Sequence, residues 1–445
     1  MDGPEACACR HAQKVARISR QLAERQSTRP LVLKKRAVSH SVPKARDLKY
    51  SDEKLDISDL NEILELDVAK RTCVAESGVT FVDLVAATMR HGLVPIIVPE
   101  LTGITVGGAV AGCSIESMSF KHGGFHDTCL EYEVVSGRGE VLTCTPENEH
   151  RLVFQMVHGA FGTLGIITRL KFKLVPALPF VKVSYQKHGS LGSFKAAIWR
   201  HFQERDVDFM DGIIHSASEY VLSTGRFVDS APYTSRYDWV KVYYQSTRER
   251  AEDYLRTPDY FFRYDRGVTH VFPRTAVGRF FLGKFIGSSQ LLRLGEKLRW
   301  LLSADKPTII LDVFIPFSKV DEFFEWYRDE FQFFPLWCVP YRRVRDYEWL
   351  SDRIFRGLKD ELFLDLAIYG MKQRGPKNYH KVMEDKLLGL GGIKTLIATN
   401  FYSEEDFWKT WNKGNYELVK ARTDPGNVFR TLYAKTCLTA RGLPS

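Results

Sequence analysis

The sequence lacks the marks of a zinc protein, of a disulfide-stapled domain and of a protein with a cleaved leader. Its eight cysteines are scattered, with no C-x-x-C pair and no spacing typical of zinc ligands. This pattern predicts free thiols in a reducing compartment and no metal ion. The first residues, MDGPEACACRHAQ, contain no apolar signal-peptide core, which predicts a cytoplasmic protein.

A run that could form a membrane-spanning helix is also missing. The most apolar stretch, from Leu93 to Ile115, contains a single charge, at Glu100, and is about long enough to cross a bilayer. Pro95, Pro99 and several glycines break any helix there, so we expect a loop-rich part of a globular domain.

Acidic residues are in the minority. The 63 Lys and Arg residues outnumber the 54 Asp and Glu residues, and the net charge of +9 favours cofactor phosphates or an anionic membrane surface as partners. No basic block accompanies a nucleic-acid-binding motif, which argues against a nucleic acid partner. The length of 445 residues predicts at least two domains, and the 13% of aromatic residues suits a large apolar pocket or a dense core.

The stretch PELTGITVGGAVAGCSIESMSFKH, from Pro99 to His122, is unusually rich in glycine. It matches neither the G-x-G-x-x-G dinucleotide fingerprint nor a P-loop. Exposed backbone N–H groups in such a loop bind phosphate well, so we interpret it as another kind of dinucleotide-phosphate cradle. A tight structural turn is the alternative.

Periodicity, with Pro176 and Pro179 at the boundary, predicts an α+β protein with two domains, 1–178 and 179–445. The predicted helices are His11 to Gln26, Thr80 to His91 with Gly92 as its C-cap, Arg151 to His158, Val320 to Phe331 and Glu404 to Ala421. A hairpin is predicted at Leu130 to Val135 and Val141 to Cys144, followed by a strand at Gly165 to Leu174. One antiparallel sheet is predicted from the segments VKVSYQ, DGIIHS, EYVLSTGRFV and VKVYYQS, with further strands near residues 308–314, 336–340 and 362–368.

Three segments, TVGGAVAGCSIES, KHGGF and HGAFGTLGIITRLKFKLVP, resemble the flavin-binding (PCMH-type) half of the vanillyl-alcohol-oxidase superfamily. PLWCVPYR, LFLDLAIYG and FYSEEDFWKTWNKGNYELVKAR are similar to the delta-24 sterol reductase group. The resemblance implies bound FAD, held without a covalent bond in that group, although some superfamily members attach FAD at the position of His40. The cofactor-binding residues it implies are Ser39, His40, Ser41, Thr105, Val106, Gly107, Gly108, Gly112, Cys113, Ser114, Ile115, Glu116, Ser117, Gly162, Thr163, Gly165, Ile166 and Lys435.

The resemblance further implies that about 400–445 folds back onto the flavin-binding domain. It also implies NADPH-dependent reduction of a sterol side-chain double bond, which needs a proton donor. The candidates are Tyr369 and Tyr402, with Lys121 and His122 as further ones. Each tyrosine is equally a buried hydroxyl with a backbone partner, and Glu116 with Lys121 is equally an ion pair that fixes the loop.

Two other functions remain open from the sequence: an FAD-linked oxidase or dehydrogenase of an alcohol, lactone or hydroxy acid, and a flavin-free binding protein. The basic and aromatic segment Asp259 to Leu302 suits peripheral membrane contact or an internal lid in equal measure. Animal and plant sterol reductases carry a membrane anchor before the flavin domain, and none is recognisable here, so we expect a cytoplasmic or peripherally bound protein. The oligomeric state is not indicated.

Overall fold

The computed structural model describes residues 4–36, 44–237, 241–265, 309–355 and 358–444. Its strands are Leu31–Lys34 (β1), Glu53–Asp56 (β2), Ile63–Asp67 (β3), Thr72–Glu76 (β4), Leu93–Pro95 (β5), Cys129–Val135 (β6), Val141–Cys144 (β7), Ile166–Pro176 (β8), Phe180–His188 (β9), Phe209–Ser216 (β10), Glu219–Val228 (β11), Glu252–Arg256 (β12), Ile309–Pro316 (β13), Leu336–Arg342 (β14), Leu362–Met371 (β15) and Ile393–Lys394 (β16). Its α-helices are Pro4–Ala23, Phe81–Thr88, Val106–Ala111, Ser119–His122, Arg151–Met156, Leu191–Glu204, Tyr243–Ser246, Thr257–Phe261, Val320–Glu330, Asp352–Phe355, Tyr379–Leu390, Glu404–Thr410 and Lys413–Thr423. The predicted α+β class is confirmed.

The N-terminal sheet is antiparallel, with the order β3-β4-β8-β6-β7, and β5 pairs with the far end of β8. The predicted hairpin forms as β6 and β7. The predicted helix begins at Phe81, where the Thr80 side chain accepts a hydrogen bond from Asp83 N. After this helix the chain makes a short 3-10 turn and changes direction at Gly92. The φ of 64° at Gly92 is a left-handed conformation that glycine adopts readily.

The second sheet has eight strands in the order β12-β9-β11-β10-β14-β15-β13-β16, and its pairs are antiparallel. Helices cover one face, where Phe194, Phe323 and Met383 join the strands in a hydrophobic cluster. Residues of the opposite face, such as Val183 and Phe209, share a cluster with the N-terminal sheet. The two sheets therefore enclose apolar space between them.

The C-terminal segment contacts the N-terminal domain at several points. Lys420 Nζ donates to the Thr163 carbonyl at 2.9 Å, and Tyr416 donates to Thr163 Oγ1 at 3.1 Å. Arg430 pairs with Asp52 at 2.6 Å. The chain thus returns to the loop before β8, while the predicted domain boundary near residue 178 stays a prediction.

Two predicted elements are wrong. The described part of the segment VKVYYQS is not a strand. Tyr243–Ser246 forms a helical turn in which the Ser246 and Thr247 hydroxyls donate to carbonyls three residues back. On the side of β9 that does not pair with β11, the neighbouring strand is β12 instead. The single helix predicted from Glu404 to Ala421 is two helices, since Trp411 is extended and the Asn412 side chain caps the second.

Much of the segment Asp259 to Leu302 lies outside the described residues. Its described beginning is internal: Tyr260, Phe261 and Tyr264 are buried in the cluster shared by the two sheets. In the part of the chain that the structure describes, none of the helices combines the length and the apolar character that crossing a bilayer requires.

Replacing Lys420 with Met is expected to lower the free energy of unfolding by about 3–5 kcal/mol, because the buried Asp424 carboxylate loses its cation. Lys420 Nζ lies 2.6 Å from Asp424 Oδ2 and also donates to the Phe429 carbonyl at 2.7 Å. Urea denaturation measures the change, with the exposed Lys413→Met on the same helix as control. Equal midpoints for the two variants would contradict a role for Lys420 in holding the C-terminal segment.

Candidate active site

The glycine-rich stretch folds into the short helix Val106–Ala111. Thr105 Oγ1 accepts a hydrogen bond from Gly108 N at 3.2 Å and so caps the helix. A Cβ atom on Gly107 would lie 2.6 Å from Ser77 Cβ, so this glycine allows two backbones to touch. A Cβ on Gly108 would meet only Thr105 Oγ1, at 3.1 Å. The Gly108 position therefore faces space that a ligand can occupy.

The second glycine-rich loop, before β8, bends through left-handed conformations at Phe161, Gly162 and Gly165, with φ of 51°, 70° and 138°. Thr163 between them points away from the loop surface, since its hydroxyl donates to the Ala160 carbonyl. This loop and the Gly108 helix form two walls of one large cavity.

The large cavity has a volume of about 520 Å³. Its other walls are formed by β1, the segment after residue 44 and the C-terminal segment. The predicted cofactor residues among its lining are Thr105, Gly107, Gly108, Gly112, Gly162, Gly165 and Lys435. Ser39, His40 and Ser41 lie outside the described residues. Val106, Thr163 and Ile166 are fully buried behind the wall.

The walls of the large cavity are strongly basic. Its charged lining residues are Lys34, Lys35, Arg36, Lys44, Asp47, Lys49, Lys54 and Lys435. Burial, together with the positive charges of neighbouring lysines, lowers the pKa of both Lys44 and Lys435 to about 7; the main neighbour is Lys49 for Lys44, and Lys35 and Lys49 for Lys435. Lys435 Nζ also donates to the Phe161 carbonyl at 2.7 Å. A cavity lined by seven basic side chains and one carboxylate, next to open glycine backbone, fits the pyrophosphate of FAD, whose charge favours the protonated lysines.

FAD is expected to bind the apoprotein more weakly as the pH rises through about 7. Anion binding favours the charged lysines, and Lys44 and Lys435 lose their protons near this pH in the empty cavity. The apparent Kd, measured by flavin fluorescence between about pH 6 and about pH 8.5, should rise up to about tenfold per unit for each proton lost. Lys435→Arg should flatten this dependence, and an unchanged slope in that variant would remove Lys435 from the explanation.

Two smaller cavities open beside the large one. The first, of about 80 Å³, is mainly apolar and aromatic, with Phe161, Phe314, Tyr341, Trp349 and Trp411 in its wall. The second, of about 40 Å³, is acidic. Gly112 lines all three cavities, and Cys113 and Ile115 line both small ones. The part of the predicted flavin-binding loop that contains Gly112, Cys113 and Ile115 therefore lies where the basic, the apolar and the acidic cavity meet.

The acidic cavity contains Tyr369, whose hydroxyl donates to Asp312 Oδ1 at 2.7 Å. Asp365 lies four residues before Tyr369 on β15 and lines the same cavity, as the alternation of side chains along a strand predicts. Glu100 enters from the loop after β5, and Ser114 from the flavin loop. Burial raises the pKa of Glu100 to about 8 and of Asp312 to about 6.

The other predicted catalytic residues lie elsewhere. Tyr402 is buried among aromatic rings, 5.5 Å from Trp411 between ring centroids, and lines none of the three cavities. Lys121 and His122 end the short helix Ser119–His122 against β14 and also line none of them. Burial lowers the pKa of His122 to about 4, which leaves a neutral ring at physiological pH.

Glu116 and Ser117 point into a buried network between the two sheets. Arg263 Nη1 lies 3.5 Å from Glu116 Oε1, and its Nη2 lies 3.1 Å from Asp211 Oδ2. The Arg263 guanidinium also stacks on Tyr260, 4.0 Å from the ring centroid. An ion pair thus fixes the loop, with Arg263 rather than Lys121 as the partner.

Sequence reasoning missed several polar residues of the small cavities. Asp312 sits in an apolar strand, and Glu100 attracted notice only as a lone charge in an apolar run. His126 lines the apolar cavity with both ring nitrogens buried and without a hydrogen-bond partner among the described residues, and the same holds for Trp349 Nε1. No motif marks these residues, because they meet only through tertiary packing.

The family described as FAD binding domain matches residues 6–145. The Delta(24)-sterol reductase of Homo sapiens is 25% identical, over 86% of this chain and 77% of that protein. The Pisum sativum Delta(24)-sterol reductase is 24% identical, over 86% of this chain and 76% of that protein. Cytokinin dehydrogenase 10 of Oryza sativa subsp. japonica is 26% identical, over 55% of this chain and 46% of that protein. The resemblance found in the sequence is confirmed.

Proposed function

We propose that this chain, whose residues 6–145 match the FAD binding domain family and which is similar along most of its length to Delta(24)-sterol reductases, is an FAD-dependent oxidoreductase that reduces the side-chain double bond of a delta-24 sterol with NADPH. The observation that carries the proposal is the meeting of three cavities at Gly112. One suits the cofactor phosphates, one an apolar substrate and one proton donation.

Bound FAD supplies hydride transfer from the nicotinamide to the alkene. The protein's own residues bind, orient and exclude water. The basic wall with Lys44 and Lys435 holds the phosphates, and the absence of a side chain at Gly108 leaves room for them. The aromatic wall with Phe314 and Trp349 orients the apolar side chain of the substrate and keeps water out.

The reduction also needs a proton for the second alkene carbon, and Tyr369 is the residue that supplies it in this proposal. It lines the acidic cavity, and its partner Asp312 fixes the position of the hydroxyl. Tyr402, Lys121 and His122 line neither small cavity, which makes them weaker candidates for contact with substrate.

The lining of the apolar cavity favours a sterol over an acidic substrate. Its wall contains Arg343 and Lys394, and both are engaged: Arg343 by Asp346 at 3.6 Å and the Leu358 carbonyl at 2.9 Å, and Lys394 by Glu384 at 2.6 Å. A hydroxy acid would need such a cation to be available for its carboxylate. The oxidation of an alcohol, lactone or hydroxy acid is therefore the alternative to be tested.

The test is anaerobic. NADPH is mixed with the purified flavoprotein until the flavin absorbance is bleached, and a delta-24 sterol is then added. Rapid reoxidation with formation of the saturated sterol is expected. Bleaching by an alcohol or hydroxy acid in place of NADPH, with no reoxidation by sterol, would establish the alternative. Acid precipitation should release the FAD, since the proposal includes no covalent bond.

A further inference from the structure

The acidic cavity holds more carboxyl groups than the positioning of one tyrosine requires. Glu100, Asp312 and Asp365 line it, with exposed fractions of 7%, 9% and 4%. They come from three separate parts of the chain: the loop after β5, the strand β13 and the strand β15. Burying three carboxyl groups together is costly if each is charged, so the arrangement needs protons to be stable.

Two polar atoms in this cavity indicate a further occupant. Asp365 Oδ1 and Ser114 Oγ are buried and have no hydrogen-bond partner among the described residues. The cavity volume of about 40 Å³ exceeds the roughly 10–15 Å³ that one water molecule needs. Because unpartnered buried polar atoms are rare, a water molecule bridging these two groups is the simplest occupant.

We propose that Glu100, Asp312 and Asp365, together with this water, form a proton store that resupplies Tyr369 during alkene reduction. The proposal rests on the proposed function, in which Tyr369 protonates the substrate. The contact that links the store to the donor is the 2.7 Å hydrogen bond between Tyr369 and Asp312. Both groups carry rotatable hydroxyls when protonated, so this contact transmits a proton in either direction.

The proton step balances within the cavity. Asp312, with a pKa of about 6, is largely ionised near neutral pH and accepts the Tyr369 hydrogen bond at rest. A C–H bond forms on the substrate as the O–H bond of Tyr369 breaks, and a proton from Asp365 or Glu100 passes through Asp312 to the phenol oxygen. The store has then lost one proton, which solvent replaces. The electron pair for the substrate is that of the reduction proposed above, so no further oxidant or reductant is needed.

A tyrosine without such a store would be a poor acid here. Burial and the nearby Asp312 raise the pKa of Tyr369 well above its ordinary value, so a free phenolate would be costly. Burial raises the pKa of Glu100 and of Asp365 enough to keep both protonated near neutral pH, so a proton passed from them through Asp312 neutralises the phenol oxygen and no free phenolate accumulates.

The surroundings of the store are acidic, which keeps its protons bound. Besides burial, the charges of Glu116 and Asp265 raise the pKa of Glu100, and the charges of Asp365 and Asp211 raise the pKa of the Cys338 thiol of β14. The cation of this region, Arg263, is held by Glu116 and Asp211. Burial, with Asp312 and Glu100 as neighbours, raises the pKa of Asp365 well above its ordinary value.

Infrared spectroscopy of the purified flavoprotein without substrate tests the store directly. A protonated carboxyl group has a C=O band that shifts in D₂O, and Asp365→Asn should remove part of that band at neutral pH. Asp365→Glu should restore it. Glu361→Gln is the control, since it makes the same chemical change at an exposed site just before the strand. A band that is unchanged in Asp365→Asn and in Glu100→Gln would overturn the proposal.

Stopped-flow reoxidation supplies the second arm. Asp312→Asn should slow reoxidation by sterol roughly 10²-fold or more, and adding Tyr369→Phe should cost little beyond that, because the two residues act in one step. Losses that multiply would contradict the link between them. If the wild-type protein is not reoxidised by sterol, the proposed function fails, while the infrared arm still decides whether the proton store exists.

Discussion

Replacing Tyr369 with Phe is expected to slow reoxidation of the reduced flavin by sterol roughly 10²–10⁴-fold, the usual cost of losing a general acid. The substitution removes one oxygen from the acidic cavity and leaves the large basic cavity untouched. FAD content and bleaching by NADPH should therefore stay at the wild-type level. Stopped-flow absorbance separates the two half-reactions.

Tyr402→Phe is the matched comparison for this experiment. Tyr402 is also buried, but it packs against Phe407 and Trp411 and lines none of the three cavities. We expect reoxidation within a few-fold of wild type, since a buried phenol without a catalytic contact contributes mainly packing. A large loss in Tyr402→Phe with normal reoxidation in Tyr369→Phe would reverse the assignment of the proton donor.

Gly108→Val should abolish retention of FAD while the protein stays folded. A Cβ at Gly108 meets only Thr105 Oγ1, at 3.1 Å, so the new side chain extends into the large cavity instead of into the core. Overpacking costs of about 1–3 kcal/mol convert to roughly 5–150-fold weaker binding, and the upper part of this range loses the cofactor on gel filtration. The absorbance ratio of flavin to protein after the column measures the effect.

Two variants calibrate this result. Gly192→Val places the same side chain on the helix Leu191–Glu204, where nothing lies within 4 Å, and should keep its FAD. Gly107→Val should lose FAD together with stability, because its Cβ would lie 2.6 Å from Ser77 Cβ and 2.9 Å from the Ser77 carbonyl. If Gly108→Val retained stoichiometric FAD, the phosphates would have to lie elsewhere in the cavity.

The separation of these two glycines corrects a simple interpretation of the sequence. Gly107 and Gly108 are adjacent in a motif that indicates close approach of a phosphate. The structure divides the roles, since Gly107 lets the helix touch the β4 end at Ser77 and Gly108 faces open space. Which glycine serves packing and which serves the ligand depends on what lies opposite, and the sequence does not contain that information.

The sequence by itself determined the elements whose signals are local. The Thr80 cap and Gly92 bound one helix, alternation predicted β8, and the glycine-rich loops identified the flavin family. Local signals failed where short-range hydrogen bonds competed with periodicity, as at Tyr243–Ser246. The Ser246 and Thr247 hydroxyls donate to backbone carbonyls there and stabilise a helical turn, although the alternation of residues predicts a strand.

Only the tertiary structure decided which polar groups meet beside the flavin loop. Asp365 and Tyr369 share a face of one strand, which alternation predicts, but Asp312 reaches them through the pairing of β13 with β15. Glu100 arrives from a loop more than two hundred residues away along the chain. No periodicity in the sequence reveals this group of carboxyl side chains, because strand register and long-range packing bring them together. Their pKa values are set by burial, which the sequence does not show.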